Sequence, residues 1–274
     1  MNVFDFNVHL SAGTYIKDGR ALLEETRMDS QELLDAYGRY AGMLSKTVSR
    51  ANYMILNPSI LSDERAKGLV RTLREGRKHA YITVMIDFRK KDVCREVERA
   101  HHLGFDGIKV HSYVQRIAEP DFRKVLKACE LAQAKKMFVC VDTSYGTGGL
   151  FSFDNLKLAA YLSERVTKVP LVLLHSGAVR IWEAMLIAAS GANIYLETSF
   201  SIPYLSGSSR EADMAFCYKK IGADKIIYGS DFPFVGLDES LDITGKFFKK
   251  YRFNPFDTEK IFFGNAASIK ERCI

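Results

Sequence analysis

The sequence contains no Cys-x-x-Cys pair. Its five cysteines, Cys94, Cys129, Cys140, Cys217 and Cys273, are odd in number and scattered. This excludes a disulfide framework and a zinc-thiolate site, and points to a reducing compartment. No uncharged apolar run approaches the ~18 residues of a membrane span, so no membrane partner is expected. The first strand-like segment begins almost at Met1 and leaves no room for a signal peptide, so the protein is expected to be cytoplasmic. A strong charge of one sign is also missing. Thirty-nine Lys and Arg against 33 Asp and Glu give +6, and the signs alternate along helical stretches such as Arg95-Glu96-Val97-Glu98-Arg99. That pattern is a solvated face, not the basic stripe that nucleic acid requires, although it allows attraction for a small anion. With no Pro/Gly/Ser-rich linker, residues 1–274 read as a single domain.

What is present is ordinary globular composition, 47% hydrophobic and 26% charged, arranged in alternation. Short runs rich in Val, Ile, Phe and Tyr suit buried parallel strands at Val3–Val8, Ala51–Leu56, Ala80–Ile86, Gly107–His111, Met137–Val141, Pro170–Leu174, Asn193–Glu197 and Lys225–Tyr228. Amphipathic stretches lie between them. Asp29-Ser30-Gln31-Glu32 has the spacing of a capping box, Pro120-Asp121 opens a helix over Phe122–Lys135, and Gly191 ends one over Val179–Ser190. A dinucleotide-binding sheet would carry G-x-G-x-x-G after its first strand, but His9-Leu10-Ser11-Ala12-Gly13 stands there. Eight βα units in this length predict an α/β fold, the closed (β/α)8 TIM barrel.

In such a barrel chemistry sits at the C-terminal ends of the strands. Those ends carry Asn7 and His9, Lys109 and His111, Asp142, His175, Glu197 to Ser199, and Asp231. A period of two puts Asp5, Asn7 and His9 on one side of the first strand. Each residue alone has a plain structural explanation as a cap or turn former. His101-His102, in a polar helical stretch, reads as surface. Six polar strand ends converging on one mouth make a site.

At these residues the chain resembles the amidohydrolase superfamily, and within it the amidohydrolase-related (amidohydrolase 2) family. The resemblance rests on Phe4-Asp5-Phe6-Asn7-Val8-His9, Gly104-Phe105-Asp106-Gly107-Ile108-Lys109-Val110-His111, Leu173-Leu174-His175-Ser176-Gly177, Ile227-Tyr228-Gly229-Ser230-Asp231-Phe232-Pro233 and Phe263-Gly264-Asn265-Ala266-Ala267. It implies a (β/α)8 barrel that uses one or two divalent metals on small molecules. Asn7 stands where the family has the first His of a His-x-His pair, and Asp142 where it has a strand-5 His. The implied metal set is then Asn7, His9, Asp142, His175 and Asp231. Losing two imidazoles for an amide and a carboxylate favours a harder ion such as Mn²⁺ or Mg²⁺, or zinc held through His9, His175 and Asp231.

The implied reaction is hydrolysis of a small, anionic or neutral, carbonyl compound by metal-activated water. Asp231 would move the proton, His175 would act on the substrate oxygen, and Lys109 would bind a substrate carboxylate or compensate Asp142. His111, Tyr145, Arg180 and Ser199 are expected substrate contacts. Arg210 is a further candidate, and Ser144-Tyr145-Gly146-Thr147-Gly148-Gly149 a candidate lid. Two alternatives stand beside this reading: a metal-independent lactonase or decarboxylase with no cofactor, and a barrel that only binds a ligand. Homo-oligomerisation is compatible with all three.

Overall fold

A computed structural model describes residues 2–10, 24–43, 48–76, 80–144 and 152–273. Eight parallel strands follow one another around a single sheet in chain order. They are β1 Val3–His9, β2 Val48–Ile55, β3 Tyr81–Met85, β4 Gly107–His111, β5 Phe138–Asp142, β6 Leu171–Leu174, β7 Ile194–Glu197 and β8 Ile226–Ile227. Among the described residues each strand is followed by a longer helix: α1 Ser30–Met43, α2 Ala66–Gly76, α3 Val93–Leu103, α4 Phe122–Ala134, α5 Asn155–Ser163, α6 Ile181–Ser190, α7 Arg210–Ile221 and α8 Leu237–Lys250. The expected TIM barrel is the fold.

The ring closes where β1 meets the segment that continues β8. Phe6 N donates to Tyr228 O at 3.0 Å, Asp231 N to Asn7 O at 3.0 Å and His9 N to Phe232 O at 2.7 Å. These bonds give first and last strands the neighbours that an open sheet would leave unpaired.

Helix starts follow the sequence chemistry. Asp29 and Glu32 make the reciprocal box at α1: Glu32 N donates to Asp29 Oδ1 at 3.0 Å and Asp29 N to Glu32 Oε2 at 2.8 Å. Asp92 and Asp154 accept from the third residues of α3 and α5. His101 and His102 lie exposed on α3, as expected.

One apolar layer lies between sheet and helices, and a second fills the lower barrel. The inner layer holds Phe4, Phe6, Tyr81, Phe138, Cys140, Leu174 and Tyr195, with Ile269 and Ala266 from the chain's last turns. Gly107 pairs with Phe138, and a Cβ there would sit 2.2 Å from the phenyl ring, so only glycine lets that ring fill the interior. Tyr81 Oη donates to Ala267 O at 2.9 Å, and Arg272 Nη1 to Tyr195 Oη at 2.6 Å. Asn265 Nδ2 bonds Ala223 O and Ile226 O. The Phe263–Ala267 motif therefore closes the floor of the barrel, opposite the mouth.

One expectation about β1 changes. The β1–β2 register shifts between Asp5 and Val8, and this bulge breaks the period of two. Phe6 joins the barrel interior, Asn7 and His9 reach the mouth, and Asp5 binds Ser230 N at 2.8 Å and Ser230 Oγ at 2.6 Å.

Candidate active site

The paired strands β4 and β5 raise matched layers: Gly107 with Phe138, Lys109 with Cys140, His111 with Asp142. Above the apolar layer, then, comes charge. Asp142 Oδ2 is 3.1 Å from His175 Nε2, 3.3 Å from His111 Nε2 and 3.8 Å from the Lys109 ammonium. All four side chains are buried. Among the described residues Lys109 Nζ has no hydrogen-bond partner, and neither do Asn7 Oδ1 and His111 Nδ1. Buried polar atoms without partners cost about 1–3 kcal/mol each. A cluster of them at a barrel mouth marks where a ligand supplies the missing contacts.

Ser199 joins this group to a second one. Its hydroxyl donates to Glu197 Oε2 at 2.7 Å and receives Asn7 Nδ2 at 2.9 Å. His175 Nδ1 lies 3.1 Å from Ser199 Oγ and 3.2 Å from Ser199 O. A backbone carbonyl only accepts and an ionised carboxylate only accepts, so both His175 nitrogens carry protons. The electrostatics agree. Burial opposes the charge on His175, but Asp142 and Asp231 outweigh it and hold the pKa at about 9. Burial likewise opposes ionisation of Asp142, yet the His111 imidazole beside it and the charges on His175 and Lys109 keep it well below the usual carboxylate range. His111 is driven down to about 3, chiefly by burial, and is neutral.

The second group centres on His9 and Asp231. His9 Nε2 is 3.6 Å from Asp231 Oδ1, and Asn7 Nδ2 donates to the same oxygen at 3.3 Å. His9 Nδ1 is held by both oxygens of Glu25, at 3.1 and 3.0 Å. Burial, and then Lys109, lowers His9 to about 3, while burial raises Glu25 to about 8. The pair is therefore neutral near pH 7. An aromatic ring backs each imidazole: Phe234 on His9 at 5.2 Å, Tyr113 beside His111 at 6.4 Å and Phe200 on His175 at 6.1 Å.

Backbone strain gathers here. His175, Ser176, Ala178, Phe200 and Asp231 all have φ between 45° and 64°, an unfavourable region for side-chain-bearing residues. Gly177 completes the turn after β6, at a point where a Cβ would meet Ala184 Cβ at 2.8 Å. At the end of β8 a Cβ on Gly229 would meet Glu197 Oε1 at 2.2 Å and Asn7 Cβ at 2.9 Å.

The structure thus brings together Asn7, His9, Lys109, His111, Asp142, His175, Ser199 and Asp231. Arg180 is different. Its Nε donates to Glu183 at 2.8 Å and its Nη1 to Asp154 at 2.9 Å, in a helix-flanking ion network that sets it apart from these eight. Arg210 is likewise exposed and bonded to Asp213 at 3.2 Å. Tyr145 and Gly146–Gly149 lie outside the described residues. Two central residues had no assigned role from sequence, Glu25 and Glu197. Glu197 ends β7 in phase with Tyr195 of the inner layer, which was a usable signal. Glu25 stands in a polar Glu24-Glu25-Thr26 run and gave none.

The five implied metal ligands do not converge as lone-pair donors. His175 donates from both nitrogens, Asn7 turns its NH2 toward Asp231, and Asp142 is taken up by three cationic or imidazole partners. Among the described residues no group of three or more His, Cys, Asp or Glu is arranged to hold an ion. The side chains as folded do not fit the metal centre that the family resemblance implies. What they do form is a fixed positive wall facing a carboxylate.

The fold is shared with known structures. An uncharacterised TIM-barrel protein of Bordetella bronchiseptica superposes with a TM-score of 0.75 at 15% identity, covering 100% of this chain and 99% of that one. A zinc-bound amidohydrolase of Burkholderia multivorans gives 0.69 at 14%, covering 99% of each. A probable 2-pyrone-4,6-dicarboxylic acid hydrolase of Acinetobacter baumannii with citric acid bound gives 0.61 at 14%, covering 99% and 100%. At such identities the likeness is one of fold. No curated protein matches the chain in sequence. Membership comes instead from the family model described as amidohydrolase, which matches residues 74–269 and so takes in β3 to β8 with Lys109, Asp142, His175 and Asp231. On that match the chain belongs to the amidohydrolase family of enzymes.

Proposed function

We propose that the protein hydrolyses a small anionic carbonyl compound, an ester or lactone, without needing a metal. One observation carries this reading: His175, protonated on both nitrogens, and the Lys109 ammonium lie buried together at the mouth, with Lys109 lacking a hydrogen-bond partner among the described residues. A preorganised pair of cations in a water-poor site stabilises negative charge as it develops on a carbonyl oxygen, which is work a metal does in other hydrolases.

Asp231 takes a proton from water as the water oxygen bonds to the carbonyl carbon. The carbonyl electrons move onto the oxygen beside Lys109 and His175. Collapse of the tetrahedral intermediate breaks the bond to the leaving oxygen, which receives the proton from Asp231. Glu25 holds His9 in place against Asp231, and Asn7 holds the carboxylate from its other side. Phe200, Tyr113 and Phe234 limit water at the imidazoles. The neighbour named a probable 2-pyrone-4,6-dicarboxylic acid hydrolase, which has citric acid bound, favours a carboxylate-bearing substrate.

The test is turnover of a panel of small esters and lactones, with and without a carboxylate, in excess EDTA. Hydrolysis in EDTA, strongest on the anionic members and abolished in Asp231→Asn, is the expected result. Activity lost in EDTA and regained with one divalent ion would overturn the metal-free reading, and no hydrolysis of any member would overturn the reaction class.

A further inference from the structure

The outer face of α6 departs from the other barrel helices. Its sequence, Ile181–Ser190, carries one charge, Glu183, and that is tied to Arg180. Trp182 and Leu186, one turn apart, are 40% and 64% exposed, and beside them Phe216 of α7 is 52% exposed with its ring 5.2 Å from the indole. Val179 extends the patch toward the turn after β6 at 37% exposure. A helix that is apolar on all sides is normally covered on all sides. From the structure we infer that this α6–α7 face is a two-fold interface with a second copy of the same chain.

Area and charge both favour a second copy. The exposed parts of these side chains, at roughly 150–250 Å² per aromatic residue, amount to about 350 Å² of apolar surface. A standard interface buries about 800 Å² per partner, a little over half of it apolar. The patch thus supplies most of the apolar core of such an interface. A two-fold axis requires self-complementarity, and the charges around Phe216 have it. Asp213 lies three residues before Phe216, and Lys219 and Lys220 three and four after. At 1.5 Å per residue both ends lie roughly 5 Å along the axis from Phe216. Antiparallel apposition of α7 on its copy brings each Asp213 opposite the other's Lys219 and Lys220. Within the chain Asp213 also meets Arg210 at 3.2 Å, and Lys219 lies over the Phe253 ring at 5.6 Å. These contacts orient the charged ends at the rim without covering the apolar centre.

Light scattering on the full chain during size exclusion, at about 10 µM and above, tests this directly. The wild type should have twice the monomer mass of 31.0 kDa. Leu186→Glu and Phe216→Glu should each raise the dissociation constant about a hundredfold or more, with unchanged circular dichroism because both sites are exposed. Asp213→Lys alone and Lys219→Glu/Lys220→Glu alone should be monomeric, and an equimolar mixture of the two should regain the dimer mass. A monomeric wild type, an assembly unaffected by Leu186→Glu, or charge variants that do not recombine would each overturn the two-fold interface.

Discussion

Replacing Asp142 by Asn removes an anion that both Lys109 and His175 face at close range. At an effective dielectric constant of about 20, opposite charges 3.1 Å apart attract by about 5 kcal/mol and those 3.8 Å apart by about 4. The chain can escape part of this loss by releasing the His175 proton. The His175 pKa rises from 6.5 when unfolded to about 9 when folded. Stability from this group is therefore fully present below pH 6.5, about 3 kcal/mol, and lost as pH rises through 9. In Asp142→Asn most of that gain goes, and the buried Lys109 ammonium loses its partner as well. The expected cost is about 3–5 kcal/mol at pH 6, the range for breaking a buried ion pair. Urea denaturation at pH 6 and pH 9.5 measures it. The wild-type advantage should shrink by about 3 kcal/mol between those pH values. Equal stabilities of the two proteins at pH 6, or a difference independent of pH, would refute a protonated His175 held by Asp142.

Lys109→Met, close in length but uncharged, should lower kcat/KM on an anionic ester about 10²–10³-fold, the loss typical of one oxyanion-stabilising group; hydrolysis rates of wild type and variant at pH 7 compare them. Gly229→Ala puts a methyl 2.2 Å from Glu197 Oε1 and should cost about 1–3 kcal/mol by overpacking, read as a lower urea midpoint, with activity reduced as Asn7 and Glu197 shift. Asp63 joins α1 to α2 by accepting from Ser30 N and Arg65 N, and hydrogen bonds led by Ser30 lower its pKa to about 2. Its contribution, about 1–2 kcal/mol, is present above pH 3.8 and fades as pH falls through 2. Asp63→Ala should therefore match wild type in acid and fall behind it at pH 7 in calorimetry.

The barrel was legible because parallel strands buried on both faces are written as short apolar runs, and all eight lie where those runs are. The polar strand ends were legible for the same reason, as breaks in apolar runs. Their partners were not. Nothing local distinguishes Glu25, buried against His9, from its exposed neighbour Glu24. Only the tertiary fold sets the two apart. The donor directions that make His175 a cation depend on Ser199 O and Asp142, which approach across β6 from two different strand ends. Arg180 reads as an anion grip by position, and its contacts with Glu183, at i+3, and with Asp154, the cap of the preceding helix, became visible only in the fold. The β1 bulge was hidden because Asp5, Asn7 and His9 satisfy a period of two whether or not the strand obeys it.

The way the ring closes also sets an order of assembly. Asn7 and Asp231 are 224 residues apart in sequence, and the strand carrying Asn7 has no second neighbour until β8 exists. At roughly 5–20 residues per second of synthesis, tens of seconds separate the emergence of the two. Until then β1 has a free edge, and His9 and Asn7 face no Asp231. Such long-range contacts form late and slow folding. The nascent chain therefore holds Asn7 and His9 apart from Asp231, and catalytic competence arrives together with the closed barrel.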